Sequence, residues 1–357
     1  MAFLMLKDIP IYDISENIVL NPIFLPFRNN RYNRNAFQIW LDNRAYLKSN
    51  RTAERIVTQM GGPDTCEAKR RLSLSDSYWI KYDYDKNVKF DAITPYSNMF
   101  SLLDVSRGTT SSDSIPELVT SGSQPKQWKR GQDGITYLSK AEQSHQIHTE
   151  MLAVRLAMYC RLKTMNAFIL TEKGKIYANN YGIDTNYETL GLINLINFTN
   201  TDRSMIQLDY LGIGVNGYDV INITDAYTKA GVEEDVQLIT LTQILFDAVI
   251  GNVDRRSNNS NWAIFIDHDT GKRTPSWLYD FNWANLITEN TEMISDVANY
   301  IKIAGLGKTA LRLLTPIMYT CEMLSLEIWH NNAKLLEYLL SRTLYEGQEF
   351  INSNNFG

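Results

Sequence analysis

Apolar and polar positions fall into blocks along this chain, and the blocks predict elements of different kinds. The clearest is Val236–Ile250, VQLITLTQILFDAVI, an almost continuous apolar run that reads as a buried helix. Gly251 and Asn252 follow, residues that stop helices and form turns. Two strand-like runs come next, residues 262–266 and 277–279, with the turn sequence Asp267-His268-Asp269-Thr270-Gly271 between them, so a hairpin is expected. Upstream, residues 135–140 (ITYLSK) read as a strand, and Ile147, Met151, Val154 and Met158 recur at helical spacing over residues 145–162. Residues 1–27 look strand-rich or irregular, with breaks at Pro10, Pro22 and Pro26. Residues 35–60 are patterned as a helix with Phe37, Ile39, Trp40, Leu41 and Tyr46 available for burial, and Gly61-Gly62-Pro63 ends it. Residues 78–84 are strand-like, and residues 176–181 could form a further strand. From residue 303 onward the pattern is mostly helical, with Leu311, Leu314, Ile317, Met318, Leu336, Leu339 and Leu340 as core faces.

Composition narrows the class. With 357 residues and 44% hydrophobic content, the chain can bury a large core in one bilobal domain or two domains. A formal charge of −5 with 21% charged residues is an ordinary soluble balance and argues against a general nucleic-acid binder. Residues 28–55 are locally basic, with Tyr32, Phe37, Trp40 and Tyr46 interleaved; the charges read as the wet face of one helix and the aromatics as its dry face. Three scattered cysteines without a CxxC pair, and four scattered histidines, point away from a disulfide framework or structural zinc. No run approaches the ~20 apolar residues of a membrane span. No signal core precedes the first strand-like segment, so a cytoplasmic location is expected.

The candidate chemistry lies just after the apolar helix. Gly251-Asn252-Val253-Asp254-Arg255-Arg256-Ser257-Asn258-Asn259 offers an acid and, five residues on, an amide; Tyr279-Asp280-Phe281-Asn282 offers a second acid. Such a kit suits phosphoryl transfer from a nucleotide held on magnesium. Asp254 would orient or deprotonate an acceptor hydroxyl, and Asn259 and Asp280 would supply oxygen ligands to the metal. Each motif alone is equally good turn chemistry; the order of buried helix, DxxxxN, hairpin and Tyr-Asp-Phe is what points to a site.

These segments resemble the catalytic and metal-binding motifs of HipA-like serine/threonine kinases. The resemblance covers roughly residues 115–345 and implies two further parts. Ser121-Gly122-Ser123-Gln124-Pro125-Lys126 is similar to the family's phosphate loop, with Lys126 adding charge. Lys140, at the end of the predicted strand, matches the family's strand lysine, and Glu150 its helix partner; Glu142 competes for that pairing. Residues 37–55 and 72–81 resemble the leader of a shorter HipA-like subgroup rather than the N-terminal domain of HipA itself. Arg256 stands where family members often carry His, and Asn282 where protein kinases carry Gly.

The resemblance implies an α/β (α+β) fold of bilobal, protein-kinase-like HipA type, with a small mixed N-lobe and a mostly helical C-lobe. The expected division is an accessory module over residues 1–110, the N-lobe over 111–190 and the C-lobe over 191–357. The implied cofactors are ATP and Mg2+, and the implied partners are a protein substrate and an antitoxin protein, with autophosphorylation of the serine-rich loop. Neither sequence-specific nucleic-acid binding nor a membrane is expected. Two rival readings remain open at this point: a pseudokinase or nucleotide-binding recognition module, and a lipid or small-molecule kinase.

Overall fold

A computed structural model of the chain describes residues 1–27, 34–45, 71, 76–93, 126–130, 136–142, 144–165, 167–170, 188–192, 202–215, 217–257, 261–281 and 283–353. Strands β1 (Ala2–Leu6), β2 (Ile9–Asp13) and β3 (Ile18–Val19) form an antiparallel meander. Helix α1 (Arg34–Ala45) follows, and β4 (Tyr78–Tyr82) then returns to pair with β1, giving the order β3-β2-β1-β4. A short helix, α2, covers Phe90–Ile93.

A second antiparallel sheet contains β5 (Lys126–Arg130), β6 (Thr136–Glu142), β7 (Ala167–Leu170) and β8 (Glu188–Leu192) in the order β5-β6-β8-β7. Helix α3 (Ser144–Tyr159) connects β6 to β7 and packs against β7 and β8. The third sheet, β11-β10-β9, is built from β9 (Arg203–Gln207), β10 (Ala263–Asp267) and β11 (Arg273–Pro275). Helices α4 (Val220–Lys229) and α5 (Val236–Ile250) lie between β9 and β10, and a single turn, α6 (Asp254–Ser257), precedes β10. Helices α7 (Thr291–Ile303), α8 (Gly307–Met323) and α9 (Glu327–Ser353) complete the chain.

Helix α5 is the axis of the helical half, and α4, α7, α8 and α9 all pack on it. Its sequence is apolar on every side, which is tolerable only when every side is covered. Asp235 caps its first turn, accepting from Leu238 N at 3.1 Å. Gly251 ends it with φ 67°, a left-handed conformation that costs glycine nothing, and Asn252 N–H returns to Asp247 O at 2.9 Å. The predicted helix over Val236–Ile250 is therefore observed with the same bounds.

The N-terminal sheet shares one apolar cluster with the helical half. Leu4, Trp40 and Tyr78 belong to the same buried set as Ile206, Phe246 and Trp329. Polar contacts pin the junction. Arg273 donates to Ala230 O at 2.6 Å and to Leu25 O; Ser77 N–H donates to Ser204 Oγ at 3.1 Å. Gly271 sits at φ 68°, and a Cβ there would lie 2.7 Å from the Ile23 carbonyl oxygen, so the β10–β11 turn can approach the N-terminal segment only as glycine.

Two sequence expectations need correction. Residues 277–279 are not the second arm of the hairpin. The Gly271 turn closes early, β11 occupies residues 273–275, and Leu278 instead makes an isolated parallel bridge to Thr164, with Met165 N–H donating to Leu278 O at 2.8 Å. Not every predicted core position is buried either. Phe37 and Trp40 are buried, as are Ile147 and Val154, but Ile39 and Met158 are exposed. The predicted helix over residues 35–60 is described as far as Ala45, and the expected strand at residues 176–181 lies outside the described residues.

Candidate active site

Asp254 opens α6, three residues after the glycine that terminates α5. Asn261 is buried and donates its side-chain amide to Asp254 Oδ2 at 2.7 Å. Between them, Arg255 turns inward and is 2% exposed. Its Nε donates to Asp247 Oδ2 at 2.8 Å, one terminal nitrogen to Asn261 O at 2.7 Å and the other to Tyr279 O at 2.6 Å. The guanidinium carbon lies 5.7 to 5.8 Å from the ring centres of Trp262, Tyr279 and Phe281. A planar fork of donors among flat rings is what arginine supplies and lysine does not.

This hub joins the two acidic segments. Tyr279, whose carbonyl it holds, directly precedes Asp280. Asn252 makes a second link: its amide nitrogen donates to Asp247 Oδ1 at 3.2 Å and reaches Asp280 O at 3.5 Å. Tyr218 donates its hydroxyl to Asn252 O, tying α4's leading segment to the same loop. Burial pushes the Asp247 carboxyl above the usual carboxylate range, and Arg255 opposes that push. Burial likewise raises the Tyr218 phenol, with the nearby Asp247 charge adding to it, so Tyr218 stays a neutral donor.

Asp280 has φ 61°, the left-handed region that non-glycine residues seldom occupy and that Asp and Asn tolerate best. It stands between buried Tyr279 and buried Phe281. Phe281 packs against Phe246 of α5 with ring centres 5.7 Å apart. The next backbone N–H, that of Phe281, donates to Glu150 Oε1 at 3.4 Å. Glu150 is fully buried in α3, so the small sheet's helix touches the Asp280 turn directly.

The expected site residues thus fall into three groups. Asp254, Asp280 and Glu150 are described and are joined by the contacts above. Lys126 and Lys140 are cross-strand partners in β5 and β6, and their side chains lie outside the described part of the structure. Ser121, Gly122, Ser123, Gln124 and Asn259 lie outside the described residues.

Four residues that bind the site together were not singled out by the sequence reading: Asp247, Asn252, Arg255 and Asn261. One signal was available. A lone carboxylate inside an apolar helix requires a buried partner, and Asp247 is such a residue, eight positions before Arg255. Of the two departures from the family pattern, Arg256 pairs with Asp296 of α7 at 2.8 Å, both side chains being partly exposed, and Asn282 lies outside the described residues.

No protein-family model and no curated protein matches this chain. Among solved structures it is similar to a chain of the Shewanella oneidensis MR-1 toxin–antitoxin complex of HipA, HipB and operator DNA, with a TM-score of 0.53 and 12% identity, covering 96% of this chain and 97% of that one. The fold is that of HipA-type kinases. A second similarity, to the Helicobacter pylori proinflammatory kinase CtkA, has a TM-score of 0.41 and 13% identity over 61% of this chain and 89% of that one. Here three antiparallel sheets precede or interleave with a mostly helical C-terminal part, and the two acids lie on the segments leaving α5 and following β11. No helix among the described residues is long and apolar enough to cross a membrane.

Proposed function

We propose that this protein is an ATP-dependent serine/threonine protein kinase of HipA type, from a shorter subgroup with a divergent N-terminal module. The observation that carries the reading is the buried Arg255 hub. It holds the segment of Asp254 and the segment of Asp280 in one hydrogen-bonded unit, with Glu150 on the adjoining backbone N–H. Phosphoryl transfer needs chiefly positioning and charge neutralisation, and a rigid pair of acids on two tied loops serves both.

In this reading Asp254 orients the acceptor hydroxyl and takes its proton, and Asn261 fixes the carboxylate that does so. Asp280 and Asn259 would hold Mg2+. Among the described residues no cluster of three His, Cys, Asp or Glu side chains could cage a metal by itself. Magnesium bound to nucleotide needs only one or two protein oxygens, the rest coming from phosphates and water, and carboxylate and amide oxygens suit that hard cation. When bound, Mg2+–ATP supplies the transferable phosphoryl group and the neutralising charge. Lys140, Lys126 and the Ser121-Gly122-Ser123-Gln124 loop would contact the phosphates, and Glu150 would hold the position of α3 relative to the Asp280 turn.

The organisation we favour is an accessory module over residues 1–110, an N-lobe over 111–190 and a C-lobe over 191–357, in a cytoplasmic protein. The toxin–antitoxin complex among the similar structures supports an antitoxin partner, and the serine-rich phosphate loop is the candidate for autophosphorylation.

The test is purified protein with labelled ATP and Mg2+, alone and in lysate, with mass spectrometry to locate the phosphate. We expect transfer to serine or threonine. Asp254→Ala should still bind nucleotide while transfer falls by about 10²–10⁴-fold, the usual contribution of a positioned base. Undiminished transfer by Asp254→Ala removes that residue from its role. Nucleotide binding without transfer by the unaltered protein leaves a recognition module on a kinase scaffold.

A further inference from the structure

We propose that the loop over residues 283–290, with the first turn of α7, is a docking surface for a protein segment that presents an apolar side chain flanked by Lys or Arg. The proposal deepens the kinase reading by naming the class of acceptor, and its binding arm stands apart from catalysis.

The loop is held firmly and close to both acids. Ala284 N–H donates to Phe281 O at 2.9 Å, tying it to the residue after Asp280. Asn285 N–H then donates to Ile250 O at 2.9 Å, and a Cβ on Gly251 would lie 3.4 Å from the Asn285 Cβ, so the loop abuts the start of the Asp254 segment. Asn285 also organises the turn: its Oδ1 accepts from Ile287 N at 2.8 Å and Thr288 N at 3.2 Å, its amide nitrogen donates to Thr288 Oγ1 at 2.7 Å, and its carbonyl accepts from buried Trp329 Nε1 at 2.7 Å.

On this anchored loop two bulky apolar side chains face water. Trp283 is 52% exposed and Ile287 79%, and Val253, the residue before Asp254, is 37% exposed. One exposed apolar residue is ordinary; two on a short pinned loop, with a third next to the proposed base, are apolar area that gains by being covered. The charge selects the occupant. Residues 283–296 contain Glu289, Glu292 and Asp296 and no Lys or Arg. Asp296 is engaged by Arg256, while Glu289 and Glu292 are exposed. A surface that is apolar in one part and negative in the next complements a segment that is apolar beside cationic residues.

The experiment uses full-length protein and serine-containing peptides that carry a Leu or Phe with flanking Arg, against peptides with flanking Glu. Fluorescence anisotropy reads binding, and transfer from Mg2+–ATP reads turnover. We expect the basic–apolar peptides to bind at least ten-fold more tightly than the acidic ones. Trp283→Ser and Ile287→Ser should each weaken that binding at least five-fold, and Glu289→Lys with Glu292→Lys should reverse the charge preference. Thermal melting of each variant controls for folding. Equal binding of both peptide classes, or unchanged binding by the folded variants, overturns the proposal. A dimer in sedimentation velocity that Trp283→Ser dissolves also overturns it, by assigning the surface to a second copy of the chain. If no peptide is phosphorylated but the basic–apolar class binds through Trp283, the docking surface stands and the kinase reading fails.

Discussion

Asn261 donates its side-chain amide to Asp254 Oδ2 at 2.7 Å, while its own carbonyl is held by Arg255 at 2.7 Å. The carboxylate proposed as the base is therefore oriented by a neighbour whose backbone is locked in place. Removing the amide should take away one restraint on the Asp254 carboxylate without disturbing the hub, because the carbonyl remains.

For Asn261→Ala we expect kcat for phosphotransfer to fall by about ten- to a hundred-fold, the scale of a small misplacement of a reacting group. KM for ATP should change little. An unchanged kcat in the folded variant would show that Asn261 does not act on Asp254.

Arg255→Met should be the most damaging substitution in the site. It leaves the Asp247 carboxylate buried beside lost donors, which costs about 3–5 kcal/mol when one partner of a buried ion pair is removed. The double variant Asp247→Leu with Arg255→Met should recover part of that loss, since the stranded charge is gone. Urea unfolding of the two variants measures the difference; equal midpoints would mean the pair is not coupled.

Asp280→Asn keeps a side chain that tolerates the left-handed backbone, whereas Asp280→Ala adds roughly 1–2 kcal/mol of backbone cost. We therefore expect Asp280→Asn to melt near the parent temperature. Its stabilisation by Mg2+–ATP, about 2.7 kcal/mol at one hundred times Kd in the parent, should vanish. A full nucleotide shift in the variant would remove Asp280 from metal binding.

His268 links the β10–β11 turn to the N-terminal junction. Its Nε2 lies 2.9 Å from Ser204 Oγ, which accepts from Ser77 N–H, and its backbone N–H donates to Asp202 O at 2.7 Å. Burial, with the Lys7 charge adding to it, lowers its pKa to about 4. The native state thus resists a proton that the unfolded chain takes near pH 6.5. Stability is full above that value and falls as pH drops from about 6.5 towards 4, by up to about 3 kcal/mol. His268→Gln should flatten the curve of unfolding free energy over that window; an unchanged slope would assign the acid sensitivity elsewhere.

Much of the scaffold was legible in local sequence because local physics decides it. A long apolar run ending at Gly251-Asn252 reads as a buried helix that stops there, and α5 has the bounds its pattern predicts. Strand β6 and helix α3 were legible for the same reason, through alternation and helical spacing. The hairpin was half legible. Its turn chemistry is local, but residues 277–279 had two possible partners, and the bridge from Leu278 to Thr164 depends on where α3 ends in space.

The sequence by itself determined the oxygen chemistry on offer, the helix that carries it and the turns that expose it, since each depends on residues only a few positions apart. Tertiary structure alone decided that Asp247, in the last turn of an apolar helix, would receive Arg255, that Asn261 would face Asp254, and that Glu150 would meet the backbone beyond Asp280. Those contacts join segments up to 131 positions apart. Their strength comes from burial, because a polar group removed from water must find its partner wherever the fold brings one.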